Sequence, residues 1–288
     1  MRVGVAGWDY PDWNGVVYPS RSRSFDRLGF LSRFVDVVEI NSTFYRPAGP
    51  RSAEAWASRA EKRPGFTFTA KAHRDLTHDP DTDVAAAAHD TKLGLTPLRG
   101  AGVLGAVLLQ FPQSFHREPE SLERLERLIE AFEGWPTVVE VRHVSWDSDE
   151  AAEWMRERNV GWCVVDQPRV GKSTAPMRPR VTSSVGYLRL HGRNRKDWFR
   201  KDAGRDARYD YLYGLEELRP VADVAVELGK TAKIAYAVAN NHFRGQAVVN
   251  ALQLKHLIEG GTPEAPASLV AEYLELAPNV IEVPSRLL

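Results

Sequence analysis

The chain has 288 residues, of which 43% are hydrophobic and 26% are charged, and its formal net charge at pH 7 is zero. That composition is ordinary for a globular protein with a hydrophobic core. The neutral balance excludes a bulk attraction to nucleic acid or to a membrane surface, so any such affinity would need a local patch.

Membrane-span patterns, signal peptides and cysteine content indicate the cellular compartment of a protein. No apolar run approaches the ~20 residues of a membrane span, and the N-terminal MRVGVAGW enters a strand pattern without the layout of a signal peptide. The single cysteine, Cys163, lies in the apolar run GWCVVD, so it has no intrachain disulfide partner and is predicted to be a small buried side chain. We therefore expect a cytoplasmic location and no contact with membranes.

Short apolar runs alternate with helical segments along the whole chain. In chain order the predicted elements are strand 3–6, helix 25–34, strand 37–41, helix 52–63, strand 66–71, helix 84–91, strand 106–110, helix 121–132, strand 138–141, helix 149–158, strand 161–165, strand 187–190, helix 216–228, strand 234–238 and helix 245–258. Ser52 is the expected N-cap of the second helix, which Pro64 and Gly65 end.

This alternation predicts the fold class. Eight short strands separated by helices indicate a parallel sheet, and their number with the chain length favours a closed (β/α)8 TIM barrel over an open doubly wound sheet. No linker or shift in composition marks an internal boundary. We predict one domain over residues 1–288.

Polar residues recur at the ends of the predicted strands and not at their starts. In chain order they are Glu39, Asn41, Lys71, His73, Gln110, Glu140, Arg142, Asp166, Arg189, His191 and Asn240. In a barrel of this kind the carboxyl ends of the strands converge at one mouth, where sites are built. Pairing of Glu39 with Lys71, and of Glu140 with an arginine, would merely plug the barrel, since a buried unpaired charge costs several kcal/mol. The crowding of so many polar groups at one end favours a ligand site.

The stretch from residue 187 to residue 213 forms one expected wall of that site. Tyr187, Arg189 and His191 alternate with leucines at the period of two that an extended strand has. The loop that follows mixes cations with aromatic residues, among them Arg193 and Trp198. Such a loop suits a lid over a small ligand or a surface for single-stranded nucleic acid, although four aspartates dilute its charge.

Several motifs resemble those of the DUF72 (YecE-like) family. They are GWDYPDWNGVVYP from Gly7, VVEINSTFYRP from Val37, FTAKAHRDLTH from Phe68, LLQFPQSF from Leu108, VEVRHVSW from Val139, RLHGRN from Arg189 and NNHFRGQAVVNALQL from Asn240. The resemblance covers nearly the whole chain, and Asp9 departs from the serine that many relatives carry in the first motif. It implies a TIM barrel in a cytoplasmic bacterial or archaeal protein, and it brings no established reaction.

The chemistry of these residues does not favour a metal. The histidines and carboxylates show no HxH, HExxH or CxxC spacing. Lys71, Arg142 and Arg189 would stand among the candidate ligands and repel a divalent cation. We predict neither a metal site nor a cofactor.

A small anionic, sugar-like ligand that bears phosphate or carboxylate fits better, because arginine and lysine are the usual partners of such groups. Glu39 and Glu140 are candidate general acid and base, and Lys71 either pairs with Glu39 or serves as a Schiff-base amine. The predicted catalytic residues are therefore Glu39, Lys71 and Glu140. The predicted ligand-binding residues are Asn41, Tyr45, His73, Gln110, Arg142, Asp166, Arg189, His191, Arg193, Trp198, Asn240 and Asn241.

Three classes of function stay open at this point. The first is an anion-binding barrel with hydrolase or isomerase chemistry that needs no metal. The second is nucleic-acid binding or processing through residues 193–213, by fold analogy with endonuclease-IV-like barrels. The third is a non-catalytic binding or scaffold protein. In the first class the candidate walls for a sugar or a base are aromatic, namely Trp8, Tyr10, Trp13, Phe44, Tyr45, Trp146 and Trp198.

Overall fold

Eight parallel strands close into a barrel in which each strand pairs with the next and the eighth pairs with the first. The computed structural model describes residues 1–19, 25–169, 174–196, 200 and 205–284. The strands are β1 Arg2–Ala6, β2 Val37–Ile40, β3 Thr67–Lys71, β4 Leu104–Gln110, β5 Thr137–Glu140, β6 Gly161–Asp166, β7 Val185–Leu190 and β8 Ile234–Ala239. The predicted TIM barrel is confirmed.

Helices surround this sheet. The α-helices are α1 Arg27–Leu31, α2 Pro50–Glu61, α3 Arg74–His78, α4 Val84–Gly100, α5 Pro119–Ala131, α6 Asp149–Glu157, α7 Arg205–Arg208, α8 Leu215–Thr231, α9 Gln246–Glu259 and α10 Ala267–Glu272. Short 3-10 helices span Pro11–Trp13, Ser42–Phe44, Val144–Trp146, Phe243–Gly245 and Leu274–Asn279. Near the C-terminus β9 Glu264–Pro266 pairs with β10 Ile281–Val283 outside the barrel. Among the described residues, no helix combines the length and the apolar character that crossing a bilayer requires.

Several helix boundaries differ from the prediction by one to three residues, the end of α4 differs by more, and the differences at α2 and α4 have clear local causes. Helix α2 begins at Pro50 with Gly49 as its N-cap, so Ser52 is not the cap. Proline suits the first helical position because the N–H it lacks would have no partner there. Helix α4 continues beyond the predicted residue 91 to Gly100 and contains Pro97. Its buried side of Thr91, Leu95 and Leu98 has helical spacing, so packing on the core maintains the helix in spite of the proline.

The side chains of the strands alternate between two hydrophobic layers. In β7, Leu188 and Leu190 belong to the layer between the strands and the helices, whereas Tyr187 lies in the barrel interior. Cys163 is buried in the same interior layer, as predicted. Because successive side chains of a strand face opposite sides, residues two positions apart share a face. On each strand, every second side chain therefore points into the barrel, and the last of these lies at the mouth.

Candidate functional site

An arginine bridges two carboxylates in the barrel interior. Glu39 of β2 and Glu140 of β5 are fully buried, and so is Arg189 of β7. Arg189 donates through Nη2 to Glu39 Oε1 at 2.6 Å and through Nη1 to Glu140 Oε2 at 2.5 Å. Burial raises the pKa of Glu140, but Arg189, Arg142 and His191 outweigh it and hold that pKa well below its usual range. The three side chains thus pair with one another beneath the mouth.

Neighbouring polar groups satisfy the remaining oxygens of these carboxylates. Tyr187 donates its hydroxyl to Glu39 Oε2 at 2.9 Å and shares a hydrogen bond of 2.7 Å with Thr69. Arg142 donates through Nε to Glu140 Oε1 at 2.7 Å. Gln110 approaches Arg189 Nη1 with its Oε1 at 3.4 Å. Most donors and acceptors of this hydrogen-bonded set have a partner, although the buried Nε of Arg189 has none among the described residues.

His191 connects the buried set to the mouth. Asn240 Nδ2 donates to His191 Nδ1 at 2.9 Å, so the ring hydrogen is assigned to Nε2, which lies 3.2 Å from Glu140 Oε1. Burial lowers the pKa of His191 to about 3, with Arg142 and Arg189 acting in the same direction and Glu140 opposing them. The imidazole is therefore neutral at physiological pH.

A cavity of about 550 Å³ opens at one side of the mouth, over the ends of β8, β1, β2 and β3. Its lining residues are Gly7, Trp8, Asp9, Tyr10, Asn41, Ser42, Tyr45, Trp56, Lys71, Tyr209, Asn240 and His242. That volume is in the range of small-molecule sites. The cavity is off-centre, and the paired carboxylates lie outside its lining.

Lys71 contributes a positively charged group to the lining of the cavity. Its Nζ lies 4.0 Å from the centroid of the Phe44 ring, and no hydrogen bond or ion pair joins it to another described residue. The expected pairing with Glu39 is not formed, and Glu39 instead accepts from Arg189 and Tyr187. Burial lowers the pKa of Lys71 to about 7; Arg189 and Arg142 add to this effect, and Glu39 and Glu140 oppose it. A large fraction of this amine is therefore unprotonated near neutral pH.

Aromatic rings form the walls around Lys71. Trp8 makes an edge contact with Trp56 at 5.6 Å between centroids, and Tyr10 stacks on His242 at 4.4 Å. Tyr45 is 65% exposed at the lip of the cavity. Two other candidates for the walls are elsewhere, since Trp13 and Trp146 are fully buried in the outer hydrophobic layer. Trp198 lies outside the described residues.

Two amides add hydrogen-bonding groups to the lining. Asn240 is oriented by its bond to His191. Asn41 places Nδ2 3.5 Å from the Tyr10 hydroxyl, and its buried Oδ1 has no partner. A buried polar atom without a partner is rare in folded proteins and is satisfied when a bound molecule supplies the missing donor. The cavity is therefore lined by two amide side chains, and the oxygen of one of them, Asn41, has no partner among the described residues.

The other predicted ligand-binding residues have partners away from the cavity. His73 caps α3 by accepting from the Asp75 backbone N–H. Asp166 binds Arg193 through its two carboxylate oxygens at 3.0 to 3.2 Å, and Asn241 donates to Tyr211 and to Asn250. Of the predicted residues, the structure brings Lys71, Asn41, Tyr45 and Asn240 into the lining.

Sequence reasoning missed Trp56 and Ser42 as lining residues. Trp56 lies on α2, where nothing in the local pattern separates a tryptophan that faces the mouth from one that packs on the core. Ser42 directly follows Asn41 at the end of β2, so the rule used for the other strands extended by one residue would have included it. Among the described residues, no cluster of three or more histidine, cysteine, aspartate or glutamate side chains could hold a metal ion.

Fold and site together define a class of protein: a (β/α)8 barrel with a ligand-sized, aromatic-walled cavity at the carboxyl ends of its strands. The sequence model of the family described as "Protein of unknown function DUF72" matches residues 2–270. The chain belongs to the DUF72 family.

Individual relatives agree with this assignment. The UPF0759 protein YunF of Bacillus subtilis (strain 168) is 27% identical over 296 residues, which cover 98% of this chain and 99% of YunF. The crystal structure of a DUF72 family protein from Thermotoga maritima MSB8 is 35% identical and superposes with a TM-score of 0.80 over 90% of this chain and 98% of its own. A DUF72 family protein from Enterococcus faecalis V583, 22% identical, shares the fold with a TM-score of 0.79 over 90% of this chain and 95% of its own.

Proposed function

We propose that the cavity beside Lys71 binds a small sugar-like ligand that carries a phosphate or carboxylate group. The observation that carries this proposal is the Lys71 amine, which lines a cavity of about 550 Å³ without an ion pair to any described residue. An anion bound beside this amine favours its charged form. Every carboxylate of the barrel interior that could neutralise it is already bound to Arg189. An anionic ligand supplies the missing charge partner.

The rest of the lining suits the sugar-like part of such a molecule. Flat apolar rings such as Trp8 and Trp56 stack against the C–H faces of a sugar, and Asn41 and Ser42 offer hydrogen-bonding groups to hydroxyls. In this proposal Glu39, Glu140 and Arg189 position the mouth residues and do not contact the ligand. A cytoplasmic location and a single domain over residues 1–288 remain part of the proposal.

Ligand-induced thermal stabilisation tests the proposal. We expect a sugar phosphate such as fructose 6-phosphate or ribose 5-phosphate to raise the melting temperature of the wild type by about 5 °C at ~100 times its Kd. Lys71→Met should abolish the shift, because it removes the cation without leaving a broken ion pair. Lys233→Met is the matched control, since Lys233 is exposed and precedes β8 at the opposite end of the barrel.

Two outcomes would contradict the proposal. One is that no member of a panel of sugar phosphates and sugar acids changes the melting temperature of the wild type. The other is a shift of equal size in the wild type and in Lys71→Met. Stabilisation by an oligonucleotide alone, falling steeply with salt, would favour the nucleic-acid alternative.

A further inference from the structure

We infer that Lys71 forms a Schiff base with the aldehyde or ketone group of its ligand. This inference rests on the proposed function, because it names the chemistry of the same cavity. The ligand class becomes narrower: a carbonyl compound with a phosphate or carboxylate group, such as an open-chain sugar phosphate or a keto acid. The reaction class is covalent catalysis through an amine.

The surroundings of Lys71 separate it from an ordinary structural lysine. A partly buried lysine such as Lys71 usually pairs with a carboxylate, because removing an unpaired ammonium from water is costly. Here Glu39 and Glu140 are the carboxylates of the barrel interior that attract the Lys71 ammonium, and Arg189 donates to an oxygen of each of them. The arginine therefore withholds the counter-ions that would keep the amine protonated.

The charges around Lys71 act in agreement with this geometry. Burial has the largest influence and lowers the pKa of Lys71 to about 7. Arg189 and Arg142 repel the ammonium and add to this effect, whereas Glu39 and Glu140 attract it. The Phe44 ring at 4.0 Å favours the ammonium but does not hydrogen-bond to Nζ. The unprotonated amine is the nucleophilic form, and it is available at neutral pH.

The cavity leaves room for the covalent step. The lone pair of Lys71 Nζ attacks the carbonyl carbon, the carbonyl oxygen takes a proton, and the resulting carbinolamine loses water to give an imine. One N=C bond forms, one C=O bond breaks and one water leaves through the lip beside the exposed Tyr45. When protonated, the imine keeps the positive charge of Lys71 beside the anionic group of the ligand. It also withdraws electrons from the adjacent carbon, which is the chemistry that isomerisation or carbon–carbon cleavage requires.

Reductive trapping tests this inference on the intact wild-type protein. The protein is incubated at pH 7 with sodium cyanoborohydride and, in turn, dihydroxyacetone phosphate, glyceraldehyde 3-phosphate and pyruvate. We expect a stable adduct with the mass of the carbonyl compound less one oxygen atom, which peptide mapping places on Lys71. Labelling there should exceed that of an ordinary exposed lysine by a factor of up to about 10³, since an amine with a pKa of about 7 is half unprotonated at pH 7, whereas only about 1 in 2,500 amines of pKa 10.4 is.

The controls separate the two proposals. Lys71→Arg should lose the adduct, whereas Lys233→Met should retain it. Thermal stabilisation by these ligands without an adduct on Lys71 would overturn the Schiff base and leave the proposed binding intact. Absence of both stabilisation and adduct would contradict the proposed function itself. Labelling spread evenly over the exposed lysines would also overturn the inference, and this readout on the wild type needs no variant to fold.

Discussion

At the scale of single residues, the site depends on two groups whose proton affinities are altered by burial in the same direction. Lys71 and His191 both have lowered pKa values, because burial disfavours the charged form of a base. They differ in their contacts. Lys71 faces the cavity, whereas His191 is hydrogen-bonded on both ring nitrogens, to Asn240 and to Glu140. The first is suited to react, and the second to orient Asn240.

The pKa of His191 predicts a loss of stability in mild acid. The unfolded chain binds a proton at His191 below pH ~6.5, but the folded chain does not until the pH falls to about 3. Burial is the main cause, and the charged groups that face the imidazole are Glu140, Arg142 and Arg189. Because the unfolded state binds more protons in this window, the free energy of unfolding falls as pH falls, by about 1.4 kcal/mol per pH unit from this group.

Urea unfolding between pH 7.5 and 4.8 measures this effect. His191→Gln should show a shallower pH dependence than the wild type, since the titrating group is gone. His89→Gln, at an exposed position of α4, is the control that should leave the slope unchanged. Identical slopes for wild type and His191→Gln would contradict the assignment of a neutral buried imidazole.

At the scale of elements, β7 shows how a strand end is adapted to its loop. Gly192 follows the strand with φ of +88°, in the left-handed region, and its N–H donates to the Tyr213 hydroxyl at 3.0 Å. A Cβ at this position would lie 2.8 Å from Cβ of Tyr211. Glycine therefore lets the loop turn back against Tyr211 and Tyr213 directly after His191.

Gly192→Ala should destabilise the protein by about 1–3 kcal/mol, because it adds both backbone strain and a steric overlap. Gly100→Ala is the matched control, since Gly100 is exposed at the end of α4, has open space around its Cα and should be neutral or slightly stabilised by alanine. Denaturant unfolding of both variants measures the difference. Equal stabilities would show that the turn after β7 tolerates a side chain.

At the scale of the whole molecule, Arg189 joins three strands across the barrel. It connects β7 to β2 through Glu39 and to β5 through Glu140. Replacing it with Met would leave the buried Glu39 without its cation and Glu140 with Arg142 alone, so we expect a loss of about 3–5 kcal/mol in the free energy of unfolding.

A surface ion pair of the same kind provides the comparison for Arg189→Met. Arg219 binds Glu216 on α8, and both side chains are more than half exposed. Arg219→Met should cost about 0–1 kcal/mol, because water screens an exposed pair. Thermal or urea unfolding of the two variants should separate them clearly. A cost for Arg189→Met as small as that for Arg219→Met would show that the ion pairs of Arg189 with Glu39 and Glu140 do not hold the barrel together.

Much of the fold could be predicted from local patterns. The strands and most of the helices follow from residue periodicity, and their alternation predicts the barrel because few topologies accommodate eight such units. Helix ends were less predictable. The extension of α4 past Pro97 depends on the burial of Leu95 and Leu98, which is a property of the packed molecule.

By itself, the amino-acid sequence determined the barrel and the level at which its polar side chains lie, because side chains alternate along every strand and the strand ends share one rim. Only the tertiary structure decided which of these side chains are free to meet a ligand. Arg189 and Arg142 neutralise Glu39 and Glu140 across the barrel, while Lys71 is left facing the cavity. Charge pairing depends on distances between residues far apart in the chain, and Coulomb attraction at a few ångströms outweighs any preference that local sequence expresses.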